Sequence, residues 1–147
     1  MRVLALDPGE ATGWAWGTVT DGELEVGGWG FDPWKTVAMH LATKQVLGNA
    51  REYDVLVYEA WRLRATAAKQ LIGSDMQSSQ MVGCIKLCGW LSGARIVSQE
   101  PAIKPVADKM MGGPETYLPR STVDHDRDAL RHLHYFHLKE KHKHGRD

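Results

Sequence analysis

The chain is short of the residues that staple or anchor a protein. Cysteine occurs twice in 147 residues, as Cys84 and Cys88. The two stand four apart inside an apolar periodic segment. That spacing puts them on one helix face as buried thiols, and without a Cys/His partner set they give little sign of a zinc site. Long apolar runs are missing, so no membrane span is expected, and the N-terminus lacks a signal-peptide pattern. A cytoplasmic location is therefore the expectation. An excess of one charge is missing too. The 18 basic and 18 acidic side chains cancel, whereas many nucleic-acid binders are basic overall. Internal repeats, low-complexity tracts and interdomain linkers are also lacking. One domain over residues 1–147 is expected, with about 142–147 as a frayed tail. The 43% apolar and 24% charged composition is that of an ordinary globular chain large enough for a real core.

What is present begins at residue 3. Val3, Ala5 and the leucines around them form an apolar run, as in a strand buried on both faces. The run ends on Asp7, and Pro8-Gly9 then turns the chain. Thr12 to Val19 alternates bulky and small residues as a second strand. Asp21-Gly22 signals a hairpin, and Glu23 to Phe31 is the third strand. Asp32-Pro33 reads as a helix start, with Asp as N-cap and Pro at the first helical position. The apolar stripe from Trp34 to Leu41 carries that helix to about residue 51. Asp54 to Glu59 repeats the opening pattern, a short apolar run delivering an acid. Ser74 to Ser92 reads as a long helix whose small residues, Ser78, Ser79, Gly83, Cys84, Cys88 and Gly89, suggest close packing on a sheet. Gly93 stops it, Ala94 to Ser98 is the fifth strand, and a helix follows to about Met111. Glu115 to Thr122 reads as a loop, and a last helix runs from Asp124 to about Lys141. The order predicts an α/β fold: a mixed five-stranded sheet, an antiparallel meander of the first three strands plus two parallel strands, with helices on both faces.

Two strands thus end in an acid, Asp7 and Glu59. If they are neighbours, both carboxylates emerge at one sheet edge. The last helix opens Asp124-His125-Asp126-Arg127-Asp128. Positions three or four apart share a helix face, so Asp128 points with Asp124 or His125, while Asp126 faces elsewhere. Oxygen and imidazole donors from separated elements, with no thiolates, suit a hard divalent ion, Mg²⁺ or Mn²⁺. Such ions activate water for phosphodiester hydrolysis, and His125 could bind the metal or accept a proton.

Leu6-Asp7-Pro8-Gly9 with Thr12-Gly13-Trp14-Ala15, then Val57-Tyr58-Glu59, then His125-x-x-Asp128-Ala129-Leu130 with His132, resembles the RuvC family of Holliday junction resolvases. That family belongs to the RNase H-like, integrase-type superfamily, and the likeness spans nearly the whole chain in the same order. The resemblance implies metal-binding catalytic residues Asp7, Glu59, His125 and Asp128, and Mg²⁺ or Mn²⁺ as cofactor. It implies a homodimer acting on Holliday junctions or other branched DNA. Pro101-Ala102-Ile103-Lys104 resembles the family's lysine segment, making Lys104 a candidate for the scissile phosphate. The chain is shorter than the cellular enzymes and neutral where they are basic. A phage-encoded enzyme, working in the host cytoplasm, would fit.

DNA contacts are expected from Trp61, Arg62, Arg64, Lys69, Lys104 and Lys109, with the C-terminal basic segment. Trp61, beside Glu59, could stack on an unpaired base or cover the sheet edge. Trp14, Trp16, Trp29, Trp34 and Trp90 read as core or dimer contacts. His134, His137, His142 and His144 read as a solvated basic face. Three alternatives stand beside the resolvase. An actin-like ATPase shares the Asp-x-Gly-x-x-Thr turn but needs a second lobe. A single-domain nuclease acting on RNA or RNA–DNA hybrid would carry the same acids. A non-catalytic junction-binding module has no use for acids facing phosphates.

Overall fold

The computed structural model describes residues 1–62, 75–120 and 124–144. Arg64 and Lys69 lie outside them. Strand β1 (Arg2–Asp7) pairs antiparallel with β2 (Ala11–Thr20), which pairs antiparallel with β3 (Glu23–Pro33). Strands β4 (Val55–Glu59) and β5 (Arg95–Gln99) extend the sheet on the other side in parallel register, giving the order β3-β2-β1-β4-β5. The expected mixed sheet is present. At the β2–β3 turn Asp21 and Gly22 both take positive φ, 52° and 79°, as a tight hairpin turn of this sequence requires.

Helix α1 (Trp34–His40) starts one residue later than expected. Asp32 does not cap it. Its carboxylate instead accepts the indole N–H of Trp14 at 2.7 Å, and Pro33 belongs to the end of β3. The helix runs on as a π-helical stretch, Leu41–Val46, and stops well short of residue 51. Helix α2 (Gln77–Ser92) follows β4, and Gly93 ends it at φ +69°, the left-handed position that favours glycine. Helices α3 (Ile103–Met110), α4 (Pro114–Tyr117) and α5 (Asp124–His144) complete the chain. The stretch expected to be loop from Glu115 thus begins inside one helical turn, opened by Pro114 at its first position.

Alternation in β1 divides the core. Leu4 and Leu6 face α1 and α2, packing with Val37, Leu41, Met81 and Ile85. Val3 and Ala5 face α5, packing with Ala129, Leu130, Leu133 and Phe136. The sheet therefore buries both faces, as the apolar run predicted. Trp14, Trp16 and Trp34 pack against the first cluster, whereas Trp29 and Trp90 are exposed. Cys88 and Gly89 are buried against the sheet, but Gly83 faces outward, and among the described residues nothing would touch a β-carbon placed there.

The far half of α5 corrects the reading of its histidines. His137 is buried, and its Nε2–H donates to the Gly22 carbonyl at 2.9 Å. His134 packs edge-on to Tyr117, ring centroids 5.0 Å apart. These histidines lack a closing partner set and so read as a solvated face, but α5 lies across the sheet and draws His134 and His137 into contact with it, while His142 is exposed as expected. Burial, and secondarily the neighbouring His137, hold His134 down from an ordinary value near 6.5 to about 4. The unfolded chain then binds a proton at His134 before the folded one does. Stability is full above pH 6.5 and falls as pH drops toward 4, by up to about 3 kcal/mol. Denaturant titrations at pH 7 and pH 5 should show this loss, and His134→Phe should shrink it. An unchanged pH slope in the variant would assign the loss to other groups.

Candidate active site

Strand register builds the site. Asp7 lies opposite Gly13, and Gly13 opposite Phe31. On the other side Leu6 pairs with Tyr58, which sets Glu59 beside Asp7, and Glu59 pairs with Gln99. One row across the sheet therefore reads Phe31, Gly13, Asp7, Glu59, Gln99. Residues in one row share a face, and here it is the face that α5 covers.

Helix α5 brings the rest. His125, Asp128 and His132 follow at helical spacing and turn toward the row. Nδ1 of His125 lies 2.9 Å from Asp7 Oδ2. His132 Nε2 lies 2.8 Å from Glu59 Oε2. Asp124 is exposed, and Asp126, expected to face elsewhere, is buried away from these groups with its carboxylate accepting the Arg127 N–H. The helix comes this close because of Gly13: a methyl there would overlap the backbone carbonyl of His125.

Lys104, near the start of α3, stands between the acids. Its ammonium is 2.7 Å from Glu59 Oε2 and 2.6 Å from Asp128 Oδ2. Arg131 grips the other oxygen of Asp128 at 2.8 Å and also pairs with Asp108. Asp108 and Arg131 were not foreseen, because only the packing of α3 on α5 brings them together.

The electrostatics separate the carboxylates. Burial pushes the Asp7 carboxyl up, the His125 hydrogen bond offsets this in part, and nearby Glu59 and Asp128 push it further. Burial also opposes ionisation of Glu59, but hydrogen bonds from His132 and Lys104 outweigh it and hold this carboxyl below its usual range. The same contacts work in reverse on Lys104: burial disfavours its charge, and the bonds to Asp128 and Glu59 more than restore it. The upward push on Asp7 is chiefly the cost of burying its charge, with Glu59 and Asp128 adding to it and Lys104 partly opposing them.

These donors fit a divalent cation. Among the described residues no three acidic, histidine or cysteine groups already converge as a coordination shell. A positive group already stands between two of the acids, however, and Asp7 is buried beside them with His125 hydrogen-bonded to its carboxylate. Asp7, Glu59, Asp128 and His125 supply the oxygen and imidazole donors that Mg²⁺ or Mn²⁺ takes.

The proposed DNA contacts are not all gathered here. Trp61 lies two residues past Glu59 and is partly buried. Arg62 is exposed and pairs with Glu100. Lys109 is exposed near the end of α3. The C-terminal basic segment is carried about 20 Å down α5 from Asp128 by a rise of about 1.5 Å per residue. Lys141 there pairs with Glu23, and Lys143 with Glu140. That segment is therefore at the opposite end of the sheet from the acids. Among the described residues no helix is long and apolar enough to cross a membrane.

No family model matches the chain, and no curated protein does. Solved structures do. Thermus thermophilus RuvC in complex with a Holliday junction substrate superposes with a TM-score of 0.67 at 10% identity, over 95% of this chain and 96% of that one. The fowlpox virus Holliday junction resolvase gives 0.62 at 13%, over 95% and 99%. The yeast mitochondrial Holliday junction resolvase Ydc2 gives 0.61 at 11%, over 97% and 80%. At such identities the likeness is one of architecture, and the chain has the RNase H-like fold of these resolvases over nearly its full length.

Proposed function

We propose that this chain is a metal-dependent endonuclease that resolves four-way junctions or similar branched DNA. One observation carries the reading: Asp7 and Glu59 end adjacent parallel strands in one row, and a single helix lays His125 and Asp128 over them. The fold shared with three junction resolvases supports the choice of substrate.

Asp7, Glu59, Asp128 and His125 would hold Mg²⁺ or Mn²⁺, which when bound supplies activated water and charge stabilisation at the phosphate. The chain's own groups do the rest. Lys104, which stands between Glu59 and Asp128, would turn to a phosphate oxygen of the bound strand. Its ammonium binds that oxygen as a point charge. If the three acids alone hold the metal, His125, half exposed, is instead free to take a proton from the attacking water. Trp61 and Arg62, just past the β4 acid, meet the strand beside the cut, with Lys109 further along α3 as a phosphate contact.

The test is incubation with a synthetic four-way junction, linear duplex and an RNA–DNA hybrid, in Mg²⁺, Mn²⁺ or EDTA. Paired symmetric nicks confined to the junction, absent in EDTA, are expected. Cleavage of the hybrid alone, or nucleotide hydrolysis without nicking, would sink the proposal.

Symmetric cleavage needs two active sites, so the working form is a homodimer. The outer face of α2 supports this: Leu87, Trp90 and Leu91 are exposed, Trp90 at 69%, and no other described residue covers Gly83 on the same stripe. Exposed aromatic and aliphatic side chains around a glycine suit a second copy of the same helix. Sedimentation should give twice the monomer mass, and Trp90→Glu should give the monomer with an intact fold. A monomeric wild type that still cuts symmetrically would contradict this.

A further inference from the structure

Behind the acids lies a buried polar pair that the hydrolysis itself does not use. His132 is fully buried and Gln99 almost so. Nδ1 of His132 lies 2.7 Å from Gln99 Oε1, and Nε2 lies 2.8 Å from Glu59 Oε2. An ionised carboxylate only accepts, so Nε2 carries a hydrogen and donates to Glu59. The Gln99 amide, turned so that its N–H donates to the opposite nitrogen of the neutral ring, fixes the plane of that ring. Turning the imidazole would break both bonds in a place that water does not reach.

Gln99 is itself held by the sheet. It ends β5 in direct register with Glu59, and its carbonyl accepts the Ala60 N–H at 2.8 Å. The chain just past Glu59 is thereby clamped to the strand that carries Gln99. The three side chains run in line from β5 through α5 to β4.

We infer that Gln99 and His132 are positioning residues that set the metal affinity of the site through Glu59. Oε2 of Glu59 is committed to His132 and Lys104. Oε1 makes no hydrogen bond among the described residues and is the oxygen left for a cation. A carboxylate held this way by an outer histidine presents one oxygen at one place, with no rotamer search when metal arrives. The inference rests on reading Glu59 as a metal ligand.

The test uses the full chain freed of metal. Mn²⁺ binding is followed by the loss of the free-ion electron paramagnetic resonance signal, and junction nicking by single-turnover assays across Mn²⁺ concentration. Gln99→Leu and His132→Leu should each weaken Mn²⁺ binding about 10- to 100-fold, as losses of outer partners of metal ligands commonly do. The Mn²⁺ concentration for half-maximal nicking should rise in parallel. His132→Gln, whose amide can still donate to Glu59, should recover part of the affinity lost in His132→Leu. Should one variant fail to fold, the other two still decide the matter. Wild-type Mn²⁺ affinity in folded Gln99→Leu and His132→Leu would overturn the inference, because a residue that only fills the core would behave that way. If Asp7→Asn binds Mn²⁺ as the wild type does, or the wild type binds none, the metal-site reading fails and this inference with it.

Discussion

Asp7→Asn should cut junction nicking by on the order of a thousandfold while leaving the fold at least as stable as the wild type. The activity loss follows from the charge. Removing one carboxylate from a site already short of ready-made ligands forfeits several kcal/mol of metal-borne stabilisation, and each 1.36 kcal/mol is about tenfold in rate. The stability part is the sharper test. Asp7 is only 8% exposed. Burial and the charges of Glu59 and Asp128 push its carboxyl up, so at neutral pH the folded chain bears a cost to keep it ionised. Asparagine has nearly the same shape, can still meet His125, and carries no charge. In EDTA the variant should melt at or above the wild-type temperature. It should also still bind the junction, since those contacts lie on other residues. A residue placed merely to cap the Pro8-Gly9 turn would behave oppositely, losing stability and keeping activity. Either a clear drop in melting temperature or near-normal nicking would remove Asp7 from the site.

The acids were legible in the sequence because a buried strand leaves a local trace. Residues 3–6 and 55–58 are apolar without interruption, so Asp7 and Glu59 stand out as the places where the chain leaves the core. His125 and Asp128 were legible through helical spacing. What joins them was not. The row from Phe31 to Gln99 depends on the register of five strands, which is settled by packing over the whole sheet. Gln99 carried one usable signal, a polar residue ending a strand as Asp7 and Glu59 do. His132 carried another, a histidine beside Leu133 on an otherwise apolar stripe. Lys104 read as a surface lysine with a resemblance to support it. Its seat between two carboxylates comes from α3 packing against α5, and no local pattern encodes that. His134 and His137 were misread for a related reason. The polar face of a helix is a fair expectation only when one side meets solvent, and α5 touches both the sheet and the β2–β3 hairpin turn.

Gly13→Ala should lower nicking about 100-fold in a chain that still folds. A methyl at Gly13 would overlap the carbonyl oxygen and carbon of His125 and crowd the backbone nitrogen of Asp126. All three are backbone atoms in the first turn of α5, so no side chain can swing aside to make room. The whole start of the helix must lift from the sheet. Relief by such backbone movement typically costs about 1–3 kcal/mol. The core below, where Leu130, Leu133 and Phe136 are buried, can keep the rest of α5 docked. The chemistry has less tolerance. His125 and Asp128 ride on the displaced turn, while Asp7 and Glu59 stay with their strands. A misplacement of about 1 Å between groups that must act together can cost on the order of 100-fold. Thermal unfolding should show a modest loss, and Mn²⁺ binding and nicking a large one. Normal nicking in the folded variant would mean that the helix does not need this contact to bring its ligands to the acids. The small residue six positions past Asp7 would then serve packing alone.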